Sequence, residues 1–199
     1  HTGPLGKGAK HRGVSENAEE MTDAQRGKTW WHSARLGGGV FLDIACYGCL
    51  FSEWFMGDGA RSVAAVGANL NTPFGDTDDN FAAIIRYDNK MSVIEGTWTT
   101  PRAVIPSGPM VMCSDGAVVC TGGAESSPNV KAYDIYGNEV EIAGFEFSDK
   151  YKNMPSHLAN HIKTGESVLD VLTLSENMKI MAMLDAAMRS SLSGKAEEI

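Results

Sequence analysis

The spacing of apolar residues divides the chain into parts with different expected structures. Residues 1–36 have few regularly spaced apolar positions and are rich in Gly, Lys and polar residues, so we expect a long loop with a short helix over 15–25. From residue 40 to residue 56 the apolar residues recur at helical spacing. A run of three glycines precedes this segment and Gly57 follows it, which predicts a helix over 40–56.

The middle of the chain has the short apolar patterns of β-strands. Turn-forming residues such as Asp88 and Asn89 separate several of these segments, and short links between successive strands predict antiparallel pairing. The predicted strands are 63–70, 81–87, 91–98, 110–113, 117–121, 130–136 and 140–142. The chain then returns to helical spacing, over 156–164 and over 173–192.

This order of elements predicts an α+β fold with an open, mainly antiparallel β-sheet and helices packed on one face. The other face of such a sheet has to be covered, and a second subunit is the simplest cover. We therefore expect a homo-oligomer that forms through the open sheet. Methionines along one side of 173–192 are expected to fill the core, although a recognition surface could have the same spacing.

The charge and composition exclude several classes of partner. A formal net charge of -8 argues against nucleic acid, because phosphate binding needs a basic face. An acidic surface is also a poor match for anionic lipid, and no apolar run is long enough to span a membrane. The residues after His1 do not have the pattern of a signal peptide. We expect a cytoplasmic protein.

Four cysteines could form disulfides or a zinc site. Cys46 and Cys49 have C-x-x-C spacing but lie within the predicted helix, and Cys113 and Cys120 flank a turn where simple hairpin register places Cys113 opposite Val118. We expect buried, reduced thiols, with a zinc site built from all four as the alternative.

The helix entrance carries the residues that are most suggestive of chemistry. Gly37, Gly38 and Gly39 let other groups approach the backbone closely, and free amides at a helix start favour anionic or polar ligands. Asp43 and Tyr47 are four residues apart, so they project from one face of the helix. A phenol beside a carboxylate can move a proton at a carbinol or carbonyl. The alternative is a helix start with Asp43 near the positive end of the dipole and Tyr47 half-buried.

Neighbouring residues are weaker candidates. Trp30, Trp31 and His32 could form a wall on which a sugar ring stacks, although core packing explains one Trp equally well. Arg35 could contact a cofactor phosphate or a substrate carboxylate, or could simply be solvated. His157 and His161 are spaced like helical metal ligands. The intervening residues lack the glutamate of an H-E-x-x-H site, so we predict a surface pair and no metal, with a histidine at the edge of the substrate pocket as the alternative.

The run from Trp30 to Tyr47, with its three glycines and Asp43, resembles the start of the second domain of the Gfo/Idh/MocA oxidoreductases. Further matches follow in order through nearly the whole chain, and as an ordered set they are fairly specific. They are Asp76-Thr77-Asp78-Asp79-Asn80, Glu95-Gly96-Thr97-Trp98-Thr99, Ser114-Asp115-Gly116-Ala117-Val118, Gly165-Glu166, and Leu184-Asp185-Ala186-Ala187 with Ser190 and Ser193-Gly194.

The resemblance implies a protein in which an N-terminal Rossmann domain binds NAD(H) or NADP(H) and this chain forms the substrate-side domain. Tyr47 stands where many members have the His of Asp-x-x-x-His, which resembles the Tyr-containing, glucose–fructose oxidoreductase-like branch. Tyr47 and Asp43 would then be catalytic, while Gly38, Gly39 and Arg35 would contact the cofactor. The segment beginning at His1 resembles one that reaches the substrate pocket, although a disordered terminus is equally compatible with it.

The lysine that the family supplies from a Glu-Lys-Pro motif has no counterpart in this chain. Gly6-Lys7-Gly8 lacks the preceding strand and the third glycine of a dinucleotide fingerprint. We therefore expect residues 1–199 to form the C-terminal substrate-binding and oligomerisation domain, without the Rossmann domain. Alone it would bind dinucleotide poorly and would not turn over.

Three functions remain open from the sequence. The first is the substrate-binding and catalytic portion of an NAD(P)-dependent oxidoreductase that acts on a sugar or polyol. The second is an isolated oligomerisation or binding module without activity of its own. The third is the domain of an NAD-dependent glycosidase, which the resemblance allows because it uses the same residues.

Overall fold

The computed structural model describes residues 21–57, 59–99, 108–121, 129–144 and 148–199. The chain forms two compact units, one from His1–Pro101 with Ser175–Ile199 and the other from Arg102–Leu174. The helices are α1 (Asp23–Arg26), α2 (Val40–Met56), α3 (Met154–Thr164) and α4 (Leu174–Ser193). The strands are β1 (Ser62–Ala68), β2 (Asn80–Arg86), β3 (Met91–Thr97), β4 (Met110–Cys113), β5 (Gly116–Thr121), β6 (Asn129–Asp134), β7 (Glu139–Val140) and β8 (Glu197–Glu198).

The first unit contains an antiparallel sheet in the order β3-β2-β1-β8. Burial alternates strictly along β2, where Phe81, Ala83 and Ile85 are buried and the residues between them are exposed. This period of two places one face of the sheet in the core and leaves the other in solvent.

Helices α2 and α4 supply the rest of this core. Phe41 and Ala45 of α2 and Met183 of α4 belong to the same buried cluster as the inward residues of the sheet. The helix approaches β3 closely at Gly48, where an added Cβ would lie 2.3 Å from Cγ2 of Ile94. A larger residue at position 48 would therefore push α2 away from the sheet.

The outer edge of β1 is closed by side chains of α4. The short strand β8 pairs only with Ser62 and Val63. Farther along β1, the backbone N–H of Ala65 donates to Ser190 Oγ at 2.8 Å and that of Gly67 donates to Ser191 Oγ at 2.9 Å. Because β8 is too short to reach Ala65 and Gly67, the two serine hydroxyls accept hydrogen bonds from the backbone N–H groups that a longer strand would have paired.

The second unit contains a separate antiparallel sheet in the order β4-β5-β6-β7. The β4–β5 hairpin pairs Cys113 with Gly116, so the expected pairing of Cys113 with Val118 is wrong. The reason is a tighter turn, because the strands are joined through Ser114 and Asp115 alone.

The predicted α+β class is confirmed, and so are the bounds of α2. Two details differ from expectation: the strands are divided between two sheets, and β8 was not predicted. The short helix expected over 15–25 lies mostly outside the described residues. Within them, α1 begins at Asp23 after Thr22, whose side chain and Gln25 form a reciprocal capping box that marks this start.

All four cysteines are free, as predicted. Their burial differs from one to another, because Cys49 lies in the core while Cys113 is exposed, so the expectation of uniformly buried thiols is wrong. Burial raises the pKa of Cys49 to about 12, which keeps that thiol protonated and unreactive at neutral pH.

The closed β1 edge leads to a stability prediction. Ser190→Ala should lower the free energy of unfolding by about 1–3 kcal/mol, because it removes a buried hydroxyl and leaves the partly buried Ala65 N–H without its acceptor. Ser190 Oγ also donates to the Lys195 carbonyl, which would lose that bond. Leu192→Ala, at an exposed position of the same helix, is the control and should change stability by less than about 0.5 kcal/mol. Urea denaturation followed by circular dichroism measures both, and equal effects would contradict this account.

Candidate functional site

The amides at the entrance of α2 are occupied by the chain itself. The N–H of Gly38 donates to the Ser33 carbonyl at 3.0 Å, and that of Gly39 donates to the Trp31 carbonyl at 2.9 Å. An added Cβ on Gly38 would lie 2.2 Å from the carbonyl oxygen of Trp30. Glycine is therefore needed here for the close crossing of two backbone segments, and the expected free amides are absent at both positions.

Asp78 accepts hydrogen bonds from the next two backbone N–H groups at the start of α2. Its carbonyl accepts the Val40 N–H at 3.1 Å, and its Oδ2 accepts the Phe41 N–H at 2.7 Å. Gly39 has φ of 112° and an added Cβ there would lie 2.5 Å from Asp78 Oδ1. Burial raises the pKa of Asp78, and the bond from Phe41 opposes that shift. A protein carboxylate thus occupies the place where we expected a ligand anion.

The residues on either side of Asp78 hold two further segments. Asp76 Oδ1 accepts the Ala34 N–H at 2.8 Å, and its own N–H donates to the His32 carbonyl. The Thr77 hydroxyl donates to the Trp31 carbonyl. The segment before α2, which has no long helix or strand of its own, is thereby held by side chains that follow β1.

Asp79 organises the loop between β1 and β2 from the inside. Its carboxylate, with 1% of the residue surface exposed, accepts the backbone N–H groups of Leu70, Asn71 and Thr72 at 2.7–2.9 Å. Burial alone would raise the pKa of Asp79, but the bonds that it accepts, including one from Asn80, together lower it. Three acids within four residues directly precede β2, and this cluster is the sequence signal for the role, although the role itself was not predicted.

Asp43 and Tyr47 both lie on α2, one turn apart. The side chain of Tyr47 is exposed, with 62% of its surface accessible, so the half-burial expected under the alternative, non-catalytic interpretation is not observed. Asp43 is partly buried and its Oδ2 accepts the indole N–H of Trp98 at 3.2 Å. Among the described residues no hydrogen bond joins Asp43 to Tyr47, so the carboxylate is oriented by Trp98 and not by the phenol.

Trp98 stands at the end of β3 and is backed by a column of rings. Its backbone N–H donates to the Asp79 carbonyl at 2.9 Å, and its ring meets that of His32 edge-on at 5.4 Å. His32 in turn meets Phe74 edge-on at 4.9 Å, and the guanidinium of Arg26 lies 5.7 Å from the Phe74 ring. This column joins α1, the segment before α2 and the end of β3.

His32 lies inside the protein, with 1% of its surface exposed, so it cannot form a surface wall for a sugar ring. Its two ring nitrogens have no hydrogen-bond partner among the described residues. Burial, and secondarily the charge of Arg26, lower the pKa of His32, so the ring stays neutral at physiological pH.

The other predicted contacts lie nearer the surface. Trp30 is about half exposed, and its ring centroid is 4.7 Å from that of the partly buried Trp31. Arg35 is exposed on a short 3-10 helix, Ala34–Leu36. His1 lies outside the described residues. The structure therefore brings together Asp43 with His32, through Trp98, and leaves Trp30, Arg35 and Tyr47 accessible to a ligand.

The predicted surface pair of histidines is wrong for His157, which is buried. Its Nε2 accepts the N–H of Leu169 at 3.1 Å, while Nδ1 of His161 contacts the Glu166 carbonyl at 2.6 Å. Both therefore hold the loop after α3. Within the described ranges, no group of three or more His, Cys, Asp or Glu could hold a metal ion. In that same part of the chain, no helix is long and apolar enough to cross a membrane.

Comparison with known families finds one match, to the GFO/IDH/MocA C-terminal domain, over residues 8–119. This is more than half of the chain. Among curated proteins, none matches the chain significantly.

Several solved structures share the fold at low sequence identity. Aldose-aldose oxidoreductase from Caulobacter crescentus, complexed with glycerol, has a TM-score of 0.71 and 17% identity over 86% of this chain and 51% of its own. An oxidoreductase from Agrobacterium radiobacter in complex with NAD+, L-tartaric acid and magnesium has a TM-score of 0.64 and 14% sequence identity, and the match covers 89% of this chain and 53% of that chain. The WlbA dehydrogenase from Bordetella pertussis in complex with NADH and UDP-GlcNAcA has a TM-score of 0.59 and 19% sequence identity, and the match covers 85% of this chain and 48% of that chain. The chain spans about half the length of each.

The carboxylate of Asp79 gives a pH-dependent prediction. Asp79→Asn should lower the free energy of unfolding by about 2–4 kcal/mol at pH 7, because the amide keeps one acceptor oxygen and cannot accept all three backbone N–H groups that the buried carboxylate accepts. A lowered pKa means that the stabilisation is present above the ordinary value of 3.8 and is lost as the pH falls through the folded value. The difference in free energy of unfolding between the parent and Asp79→Asn should therefore become smaller below about pH 4.

Urea titrations at several pH values measure this gap, with Glu95→Gln as the control. Glu95 is an exposed acid in the same unit, and its removal should leave the titration curve close to that of the parent. A gap for Asp79→Asn that stays constant between pH 7 and pH 3 would contradict the assigned role.

Proposed function

Since the chain belongs to the family of GFO/IDH/MocA C-terminal domains, we propose that it is the substrate-side part of an NAD(P)-dependent oxidoreductase that acts on a sugar or polyol. The solved relatives named above are oxidoreductases or dehydrogenases, and two of them contain NAD+ or NADH. They are about twice as long as this chain, which supports a nucleotide-binding domain as its working partner. Whether that partner carries NAD or NADP is left open by the residues of this chain.

One observation carries the proposal: Asp43 and Tyr47 stand one turn apart on α2, with the phenol exposed and the carboxylate fixed by Trp98. Their Cα atoms are separated by a rise of about 6 Å along the helix axis, so both side chains can reach one small ligand. The glycerol of the Caulobacter structure and the sugar nucleotide of the Bordetella structure are polyhydroxylated, which supports the same class of substrate.

Tyr47 is the proton-transfer residue in this proposal. During oxidation of a carbinol, Tyr47 acts as a phenolate: its oxygen takes up the hydroxyl proton as the carbonyl forms and the C–H bond breaks with both electrons leaving on the hydride. A nicotinamide bound by the partner domain would supply the acceptor for this hydride. In the reverse direction the phenol returns the proton to the alkoxide oxygen. Asp43 accepts a hydrogen bond from a hydroxyl of the substrate and thereby orients the reacting carbon.

The cofactor itself is held mainly by the partner domain in this proposal. The amides of Gly38 and Gly39 donate within the chain, so they do not fit the expected role of phosphate ligands. Arg35 is exposed and cationic, and it is the predicted cofactor contact that still fits a phosphate. Trp30, which is half exposed before the glycines, fits a stacking contact with a sugar ring.

Replacing the phenol tests the proposed chemistry. The chain, co-expressed with a nicotinamide-binding domain of the family, is assayed for NAD+ or NADP+ reduction with a panel of sugars and polyols. Tyr47→Phe should lower kcat by ~10²-fold or more, because it removes the proton acceptor and keeps the ring. Tyr136→Phe is the control, since Tyr136 is an exposed tyrosine of the second unit and its loss should leave the rate unchanged. A Tyr47→Phe variant with nearly full rate would disprove the role.

A second function, assembly through the open sheet, is favoured by the solvent face of the first unit. Val66, Ile84, Met91 and Val93 are exposed there, and we call these four residues the open face. Ile84 is directly opposite Val93 in the antiparallel register. Adjacent apolar side chains on a flat sheet fit a second copy of the same surface. This assembly is compatible with the proposed enzyme.

A charge placed on the open face tests the assembly. Ile84→Glu should raise the dissociation constant of the oligomer by at least about tenfold and so favour the monomer, because the interface would bury two carboxylates without partners. Leu192→Glu, at an exposed position of α4, is the control and should leave the mass unchanged. Light scattering over a range of concentrations measures both variants, and a strictly monomeric parent protein would overturn the assembly.

A further inference from the structure

Trp98 contacts the proposed reaction site without being part of the proposed proton transfer. Its indole N–H donates to Asp43 Oδ2 at 3.2 Å, although the two residues are 55 positions apart in the chain. Asp43 is in the first turn of α2, whereas Trp98 follows β3, so the bond joins the helix that carries Tyr47 to the end of a strand. Among the described residues, no other side chain donates to the Asp43 carboxylate.

The indole is held on several sides, so it can act as a rigid support. Only 6% of Trp98 is exposed. Its backbone is fixed by the 2.9 Å bond to the Asp79 carbonyl, and its ring is supported by the edge of His32. Because His32 is itself packed on Phe74, a rotation of the indole would require the column behind it to move.

We infer that Trp98 is a positioning residue for Asp43: its indole N–H fixes Oδ2 of the carboxylate and leaves Oδ1 directed to the ligand. This inference rests on the proposed function for its effect on catalysis, but the pairing of the two side chains can be tested without it. The indole N–H donates hydrogen bonds but does not ionise or accept protons. It can therefore orient the carboxylate without competing with Tyr47 for the substrate proton.

The geometry assigns a different partner to each half of the Asp43–Tyr47 pair. Tyr47 is exposed and makes no side-chain hydrogen bond to another described residue, so its phenol is available to substrate and cofactor. Asp43 is fixed from the protein side. The distance between phenol and carboxylate therefore depends on the packing of Trp98 and on the rigidity of α2 between the two residues.

The first test uses the chain by itself and an indole-specific signal. Indole 15N–1H spectra should show four signals, from Trp30, Trp31, Trp54 and Trp98, and Trp98→Phe assigns the last of these. Asp43→Asn should move the Trp98 signal more than the other three, because it removes the charge from the acceptor. Asp185→Asn, an exposed acid of α4, is the control and should move none of them. A Trp98 signal that is unchanged in Asp43→Asn would overturn the inference. If Trp98→Phe does not fold, Trp30→Phe, Trp31→Phe and Trp54→Phe assign the Trp98 signal by elimination.

The second test uses the chain co-expressed with a nicotinamide-binding domain. Trp98→Phe keeps most of the ring volume and should lower kcat by roughly 10-fold to 100-fold with KM changed by less than about threefold, since a displaced carboxylate misaligns the reacting carbon. Combined with Asp43→Ala it should cause no further loss beyond that of Asp43→Ala alone, because the carboxylate that Trp98 positions is then absent. Independent, multiplicative losses would show that Trp98 acts only through packing and would overturn the inference.

The two tests separate this inference from the proposed function. If Tyr47→Phe retains activity, the proposed function fails, and the indole signals then decide alone whether Trp98 holds Asp43. If Tyr47→Phe is inactive and Trp98→Phe has a kcat within twofold of the parent, the proposed function stands and the positioning role is wrong. Trp54→Phe, which removes an exposed indole farther along α2, is the matched control for the loss of a tryptophan.

Discussion

Two carboxylates, the buried Asp79 and the partly buried Asp78, accept backbone N–H groups and hold the first unit together where it has no long helix or strand. Asp78 satisfies the start of α2, and Asp79 gathers the backbone of the loop after β1. A charged acceptor is stronger than a neutral one, and several donors on one carboxylate offset the cost of burying it. The position of α2, and with it the position of Tyr47, depends on these bonds.

This dependence gives a physical account of the glycine run before α2. A helix start with free amides would bind an external anion, but here an internal acid has taken that position. A side chain is excluded at both positions. A Cβ on Gly38 would lie 2.2 Å from the Trp30 carbonyl oxygen, and a Cβ on Gly39 would lie 2.5 Å from Asp78 Oδ1. The same sequence feature is therefore compatible with ligand binding and with internal capping, and only the partner on the other side of the helix start separates the two.

Periodicity in the sequence was enough to predict the α+β class, the bounds of α2 and most strands, because those features depend on which residues are apolar. Pairing between distant strands depends on tertiary contacts, so the division into two sheets and the two-residue β8 did not follow from pattern. The site was predicted in part. Asp43 and Tyr47 share a helix face through their spacing alone, whereas the bond from Trp98 joins residues far apart in the chain and has no local signal.

The serine-closed edge of β1 has a consequence for how copies of this protein can meet. An open strand edge offers a row of backbone donors and acceptors to any other strand, which is how sheets extend from one molecule into the next. At Ala65 and Gly67 those donors already point at hydroxyls of α4, so an incoming strand would have to displace a packed helix. Growth of the sheet in its own plane is blocked along this side, which leaves β3 as the long edge of this sheet at which a strand from another copy could pair.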